Sequence, residues 1–163
     1  MSAVAIHPGY PLFTRTVNTG YSQESRDLQD KIASVFHQFR NRAEREQAFD
    51  DLAQALQQGR AGNWDHYGAV PATDATAQVA YRFLSALPST LPSPNIGLDP
   101  DGEVSFDWLA GKGRVFSVSI GESGRLSYAG MFGPGKTAHG SEPFDDAIPN
   151  AVIACVRRLG FQA

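Results

Sequence analysis

Apolar residues recur at steps of three and four between residues 22 and 60, the spacing that aligns side chains on one face of a helix. Ser22 or Ser25 can cap the first turn of this segment. The pattern lapses at 40–47, where only Ala43 stays small and apolar. It therefore fits either one long helix with a solvated middle or two helices with a bend near Asn41. The apolar positions are Leu28, Ile32, Val35, Phe36, Phe39, Phe49, Leu52, Ala53 and Leu56.

Two further helices are predicted by the same periodicity. One is capped by Thr73 or Asp74 and stops at Pro88, because proline cannot continue a helix. The other lies near the C-terminus, with Pro149 in its first turn and Gly160 just past its end. Their apolar positions are Ala75, Val79, Ala80, Phe83, Leu84 and Leu87 in the first, and Ile148, Val152, Ile153, Val156 and Leu159 in the second.

Between these helices the period changes from 3.6 to 2. Bulky residues alternate with Ser and Asp in three runs, which indicates strands with one buried face. Short glycine-containing links join the runs, so we expect antiparallel hairpins. A fourth strand is possible at Asn95–Leu98. The alternating bulky positions are Val104, Phe106 and Trp108, then Phe116, Val118 and Ile120, then Leu126 and Tyr128.

Together these elements predict an α+β fold. An antiparallel β-meander of three or four strands packs against helices and follows an N-terminal helix or helical pair. We expect an arm over residues 1–21, a helical segment over 22–60 and an α+β core over 61–163. These parts form one compact domain overall, as a chain of 163 residues favours.

Charge and cysteine content narrow the function classes. The net charge is −3, and no part carries the basic excess typical of nucleic-acid binding. The one cysteine, Cys155, rules out a disulfide framework within the chain and favours a reducing compartment. With neither a membrane-spanning segment nor a secretion signal in the pattern, we expect a cytoplasmic protein.

The most specific chemical motif is Gly130–Thr137, which matches the phosphate-binding pattern G-x-x-x-x-G-K-[ST] through Gly130, Gly135, Lys136 and Thr137. Such a loop must run directly into a helix. Gly140 and Pro143 oppose a helix here, and Pro134 removes one N–H donor. Phosphate binding is therefore kept as an alternative, and a chance match in a glycine-rich loop is favoured.

The loop Asn63–Gly68 combines polar and aromatic residues. Asp65 beside His66 is compatible with acid–base chemistry, but adjacent side chains usually diverge. We favour a structural loop made of Asn63, Trp64, Asp65, Tyr67 and Gly68. In it the two aromatics anchor the loop in the core, and Asn63 and Asp65 accept hydrogen bonds from backbone N–H groups.

The remaining polar residues predict no catalytic residue, metal site or cofactor. The histidines His7, His37, His66 and His139 lack the spacing of a helical metal pair. Cys155 lies in an apolar helix, where thiols are usually inert. His139 with Lys136 and Glu142 is the nearest approach to a polar constellation. We favour a protein that is not an enzyme; the alternative is a small nucleotide-binding protein or enzyme that uses the loop Gly130–Thr137.

The N-terminal helix predicts a different kind of function. Its apolar residues follow heptad-like steps at 28, 32, 35, 39, 49, 53 and 56, with Arg42 and Glu46 in the seam. The stripe either packs on this chain's own sheet or binds a protein partner or a second copy. In the latter case the partner-binding residues are Leu28, Ile32, Val35, Phe39, Phe49 and Leu52.

The loop Asn63–Pro71 resembles bacterial proteins with an N-W-D-x-Y-G-A-x-P signature. In that family a helix ending in F-L-x-x-L-P follows, as in Phe83–Pro88, and short strands come next. The resemblance covers about residues 62–132, with His66 at a position where the family has glycine. It implies no catalytic residue and an association with bacterial defence, toxin–antitoxin or phage-related loci. We therefore expect a protein-binding module of antitoxin, immunity or inhibitor type.

Overall fold

The structure is a computed structural model that describes residues 23–161, except for the side chain of His37. The arm predicted over residues 1–21 lies outside the described residues, as does His7. The chain divides into two units, residues 1–36 and 37–163. Within the first unit, the described residues are helical.

Three helices and five strands make up the described chain. The helices are α1 (Gln23–Gln58), α2 (Asp74–Ala86) and α3 (Asn150–Arg158). The strands are β1 (Asn95–Leu98), β2 (Val104–Leu109), β3 (Arg114–Ile120), β4 (Arg125–Phe132) and β5 (Thr137–Pro143). The choice between one N-terminal helix and two is resolved as the single element α1.

The strands form one antiparallel sheet in the order β1-β2-β3-β4-β5, so each strand pairs with its sequence neighbours. The α+β class and the antiparallel meander are thus confirmed, but the expected three or four strands become five. The additional strand is β5, which pairs with β4 in a register that places Tyr128 beside Gly140.

One face of the sheet forms the core of the second unit. The alternating residues of β2, β3 and β4 that predicted the strands are almost all fully buried there. Phe83 of α2 packs against Phe106 of β2, with ring centroids 4.6 Å apart. Trp108 donates from its indole Nε1 to the carbonyl oxygen of Pro92 at 2.8 Å, which satisfies its buried polar atom.

All three helices contribute to this core. Val79, Ala80, Phe83 and Leu84 of α2 are buried as predicted, and the Thr73 hydroxyl caps the helix by accepting from the Thr76 N–H. Val152 and Val156 of α3 are fully buried. The C-terminal part of α1 also belongs to the core, because Ala48, Leu52 and Leu56 join the same cluster.

Candidate protein-binding surface

Large apolar side chains of the first unit are exposed to water on α1. Leu28 is 58% exposed, Ile32 and Val35 are each 47% exposed, and Phe36 is 70% exposed. Their spacing of four, three and one places them on one side of the helix. Contiguous exposed apolar side chains of this size mark interaction sites on proteins.

In the second unit, Phe39 of α1 is 67% exposed. Polar residues follow. Arg42 Nε lies 3.0 Å from Glu46 Oε1 in an exposed ion pair four residues apart. We name the five residues Leu28, Ile32, Val35, Phe36 and Phe39 the α1 stripe.

Two residues predicted to bind a partner lie elsewhere. Leu52 is fully buried in the core of its own chain. Phe49 is half-buried and stacks on Tyr81 of α2, with ring centroids 6.3 Å apart and planes 7° from parallel. Both side chains are therefore occupied within the chain. Of the residues predicted to bind a partner, Leu28, Ile32, Val35 and Phe39 are exposed, and the structure adds Phe36 to them.

The loop between α1 and α2 is held by its own side chains. Asp65 Oδ1 accepts from the N–H groups of Tyr67 at 2.8 Å and Ala69 at 3.0 Å. Asn63 Oδ1 accepts from the Gly68 N–H at 2.7 Å. The hydrogen bond from Tyr67 is the main reason that the pKa of Asp65 lies below its ordinary value. These contacts match the structural role predicted for Asn63 and Asp65.

The two aromatics of this loop differ in burial. Trp64 is half-buried, and its buried Nε1 has no hydrogen-bond partner among the described residues. Tyr67 is 94% exposed, so the prediction that both rings anchor the loop in the core is wrong for Tyr67. The loop turns at His66, which has φ of 65°, and its side chain is exposed.

The motif Gly130–Thr137 forms a β-hairpin. β4 ends at Phe132, the turn closes with the Lys136 N–H donating to the Gly133 carbonyl at 3.1 Å, and β5 begins at Thr137. The Phe132 N–H donates to the Lys136 carbonyl at 2.8 Å. A strand, rather than a helix, follows the motif. Two of the motif's N–H groups therefore donate hydrogen bonds within the hairpin, and the motif does not lead into a helix N-terminus that could bind a phosphate.

Gly130 has a packing role within β4. A Cβ at this position would lie 2.7 Å from Cδ2 of Phe116, which is a closer approach than packed carbon atoms allow. Phe116 is fully buried in the sheet. The glycine that began the phosphate-binding pattern therefore makes room for a core aromatic ring.

The other candidate groups do not converge. His139 and Glu142 alternate on β5, so their side chains leave opposite faces of the sheet, and Tyr128 donates from its hydroxyl to Glu142 at 3.3 Å. Cys155 is half-buried, and burial raises the pKa of its thiol. Among the residues whose side chains the structure describes, no group of three His, Cys, Asp or Glu residues could hold a metal ion.

Comparisons with known proteins add no relative. No family model, no curated protein and no solved structure matches this chain. The resemblance of the Asn63–Pro71 loop to a bacterial family stays a prediction. In the described part of the chain, no helix combines the length and apolar character needed to cross a bilayer.

Proposed function

We propose that this chain is a non-catalytic protein-binding module and that the α1 stripe is its binding surface. The observation that carries the proposal is the exposure of five large apolar side chains on one element. Removing apolar area from water is favourable by about 25 cal/mol per Å². A partner that covers the stripe removes its apolar area from water, and the complex is stabilised by this free energy.

The composition of the stripe supports a protein ligand. Phe36 and Phe39 are the two most exposed of its members, and aromatic side chains are enriched at the centres of protein interfaces. An amphipathic helix that presents residues at i, i+4 and i+7 is a recurrent binding element, because these residues enter one continuous groove or seam.

The predicted chemical sites have other roles in the structure. The motif Gly130–Thr137, which matches the phosphate-binding pattern, forms a hairpin turn. The loop Asn63–Gly68 uses its polar side chains to hydrogen-bond its own backbone. A module of antitoxin, immunity or inhibitor type acts by covering the surface of another protein, which the α1 stripe suits. We extend the proposal to this class.

The test measures how much protein co-purifies with each of two variants of the full chain from the cells that produce it. Each variant carries four substitutions. In the first, Leu28, Ile32, Val35 and Phe36 are changed to glutamine; in the second, the exposed residues Arg26, Asp27, Asp30 and Ala33 are changed to glutamine. Glutamine preserves helix propensity in both.

We expect the first variant to lose bound protein by about tenfold or more relative to the second, whether the bound protein is a second copy or another chain. Equal recovery with both variants would contradict the proposal. Unchanged unfolding of residues 37–163 in both variants excludes misfolding as the cause of a difference.

A further inference from the structure

We infer that the α1 stripe binds a second copy of this chain and that the two α1 helices pair antiparallel. This inference rests on the proposed function and specifies its partner. It follows from the heptad spacing of the stripe, from the end of the exposed apolar heptad positions after Phe39, from the area of the stripe, and from the charges that follow it.

The spacing of the stripe is that of paired helices. Leu28, Ile32, Val35 and Phe39 are separated by four, three and four residues, so they occupy alternating d and a positions of a heptad. The mean step of about 3.5 residues keeps one seam turned toward a partner helix. Phe36 flanks this seam and widens it.

The seam available to a partner ends after Phe39. The next heptad positions are Arg42 and Glu46, which form their own exposed ion pair. Of the positions after them, Phe49 stacks on Tyr81, Ala53 is exposed but small, and Leu56 is buried in the core of the chain. Four apolar layers are therefore open to a partner.

The exposed area suits a symmetric pair. The exposed fractions of 47–70% leave roughly 500 Å² of accessible surface on the five stripe residues of each chain. Two copies together would bury about 1,000 Å², which is near the lower bound for a specific protein interface. A symmetric pair uses the same surface twice and requires no complementary surface elsewhere.

The charged residues select the orientation. In a parallel pair, Arg42 would face Arg42 and Glu46 would face Glu46, and like charges in facing seam positions are unfavourable. In an antiparallel pair, Ile32 faces Val35 and Leu28 faces Phe39, which preserves all four apolar layers. The same register separates each Arg42 from its counterpart.

Disulfide trapping tests the orientation in the full chain. Because Cys155 is the one cysteine, Cys155→Ser supplies a thiol-free background. Leu28→Cys and Phe39→Cys are then made singly and oxidised mildly, alone and as a mixture. Asp30→Cys mixed with Phe39→Cys is the matched control, because Asp30 is exposed and lies outside the seam.

We expect a disulfide-linked dimer from the mixture of Leu28→Cys and Phe39→Cys and little from Leu28→Cys alone or from the control. In the antiparallel register the two copies of residue 28 lie about 16 Å apart along the helix axis, beyond the reach of a disulfide. Efficient linkage of Leu28→Cys alone would overturn the antiparallel arrangement.

Sedimentation equilibrium of the unmodified chain tests the partner. We expect a mass of twice 17.6 kDa, or 35.2 kDa. A mass of 17.6 kDa at concentrations up to ~100 μM would overturn pairing with a second copy. It would leave the proposed function standing if the glutamine variants still distinguish another bound protein, so the two failures are separable.

Discussion

Arg45 of α1 donates from Nη1 to the backbone carbonyl oxygen of Leu84 in α2 at 3.1 Å. Its Nη2 also donates to the carbonyl of Pro88 at 3.3 Å. Carbonyl groups at a helix C-terminus lack partners within the helix and carry partial negative charge, so a cation there is favourable. Arg45 thus connects the C-terminal end of α2 to α1 by hydrogen bonds within the second unit.

Replacing Arg45 with methionine should destabilise the second unit by about 1–2 kcal/mol, because charged hydrogen bonds to half-buried carbonyl groups are lost while the apolar stem is kept. Urea unfolding measures the change. Arg42→Met is the control, since its exposed ion pair should contribute less than about 0.5 kcal/mol. Equal losses in both variants would show that the α2 carbonyls gain nothing from Arg45.

His66→Gly should stabilise the fold. His66 has φ of 65°, a left-handed conformation that costs a residue with a Cβ about 1 kcal/mol. Glycine removes this cost but loses more backbone entropy on folding, so a gain of a few tenths to about 1 kcal/mol is expected. Thermal unfolding should rank His66→Gly above His66→Ala, which keeps the Cβ. The reverse order would contradict the conformational explanation.

A structural hairpin at Gly130–Thr137 predicts a different set of mutational effects from a phosphate-binding loop. Gly130→Ala should destabilise the fold by about 1–3 kcal/mol, because its Cβ would overlap the Phe116 ring. Lys136→Ala, at an exposed turn, should change stability by less than about 0.5 kcal/mol.

Calorimetric titration with ATP and Mg²⁺ should give no binding heat with the unmodified chain. Heat that disappears in Lys136→Ala would instead support the nucleotide-binding alternative. The stability measurements and the titration are independent, so each can fail separately.

Glu103→Gln should stabilise the fold at neutral pH. Burial, followed by the nearby Asp101 and Asp99, raises the pKa of the Glu103 carboxyl above its ordinary value of 4.5. The folded chain therefore holds the proton more tightly than the unfolded chain, and stability falls as pH rises from 4.5 through the folded pKa.

Glutamine removes this pH-dependent loss. The stabilisation by Glu103→Gln should be present above the folded pKa and should disappear as pH falls well below 4.5, where the glutamate becomes protonated in both states. Unfolding free energies measured at several pH values test this. A stability difference that does not vary with pH would exclude the carboxyl charge as its cause.

The pattern of bulky residues predicted β2, β3 and β4 because their buried faces are filled by large side chains. β5 could not be found in this way. Its partner Tyr128 occupies the space over Gly140, where a Cβ would collide with the tyrosine hydroxyl. A neighbouring strand thus supplies the bulk that β5 lacks, and the pairing of residues 128 and 140 is not visible in the local sequence of β5.

The sequence alone also could not predict which apolar residues of α1 are buried. Leu28 and Leu52 both belong to an apolar helical pattern, yet one is 58% exposed and the other is fully buried. The difference depends on which residues the sheet and α2 cover, which is a property of the tertiary fold. The sequence located the candidate residues, and the structure showed which of them are accessible to a partner.

The most direct measurement of the central claim is photo-crosslinking from the α1 stripe in the producing cells. Benzoylphenylalanine in place of Phe36 should give, after irradiation, a discrete product heavier than the 17.6 kDa chain, because this side chain lies in the covered surface. The same probe in place of the exposed Gln54 is the control. A crosslinked product at position 36 but not at position 54 is the predicted result. No product at position 36 beyond that seen at position 54 would contradict a binding role for the α1 stripe.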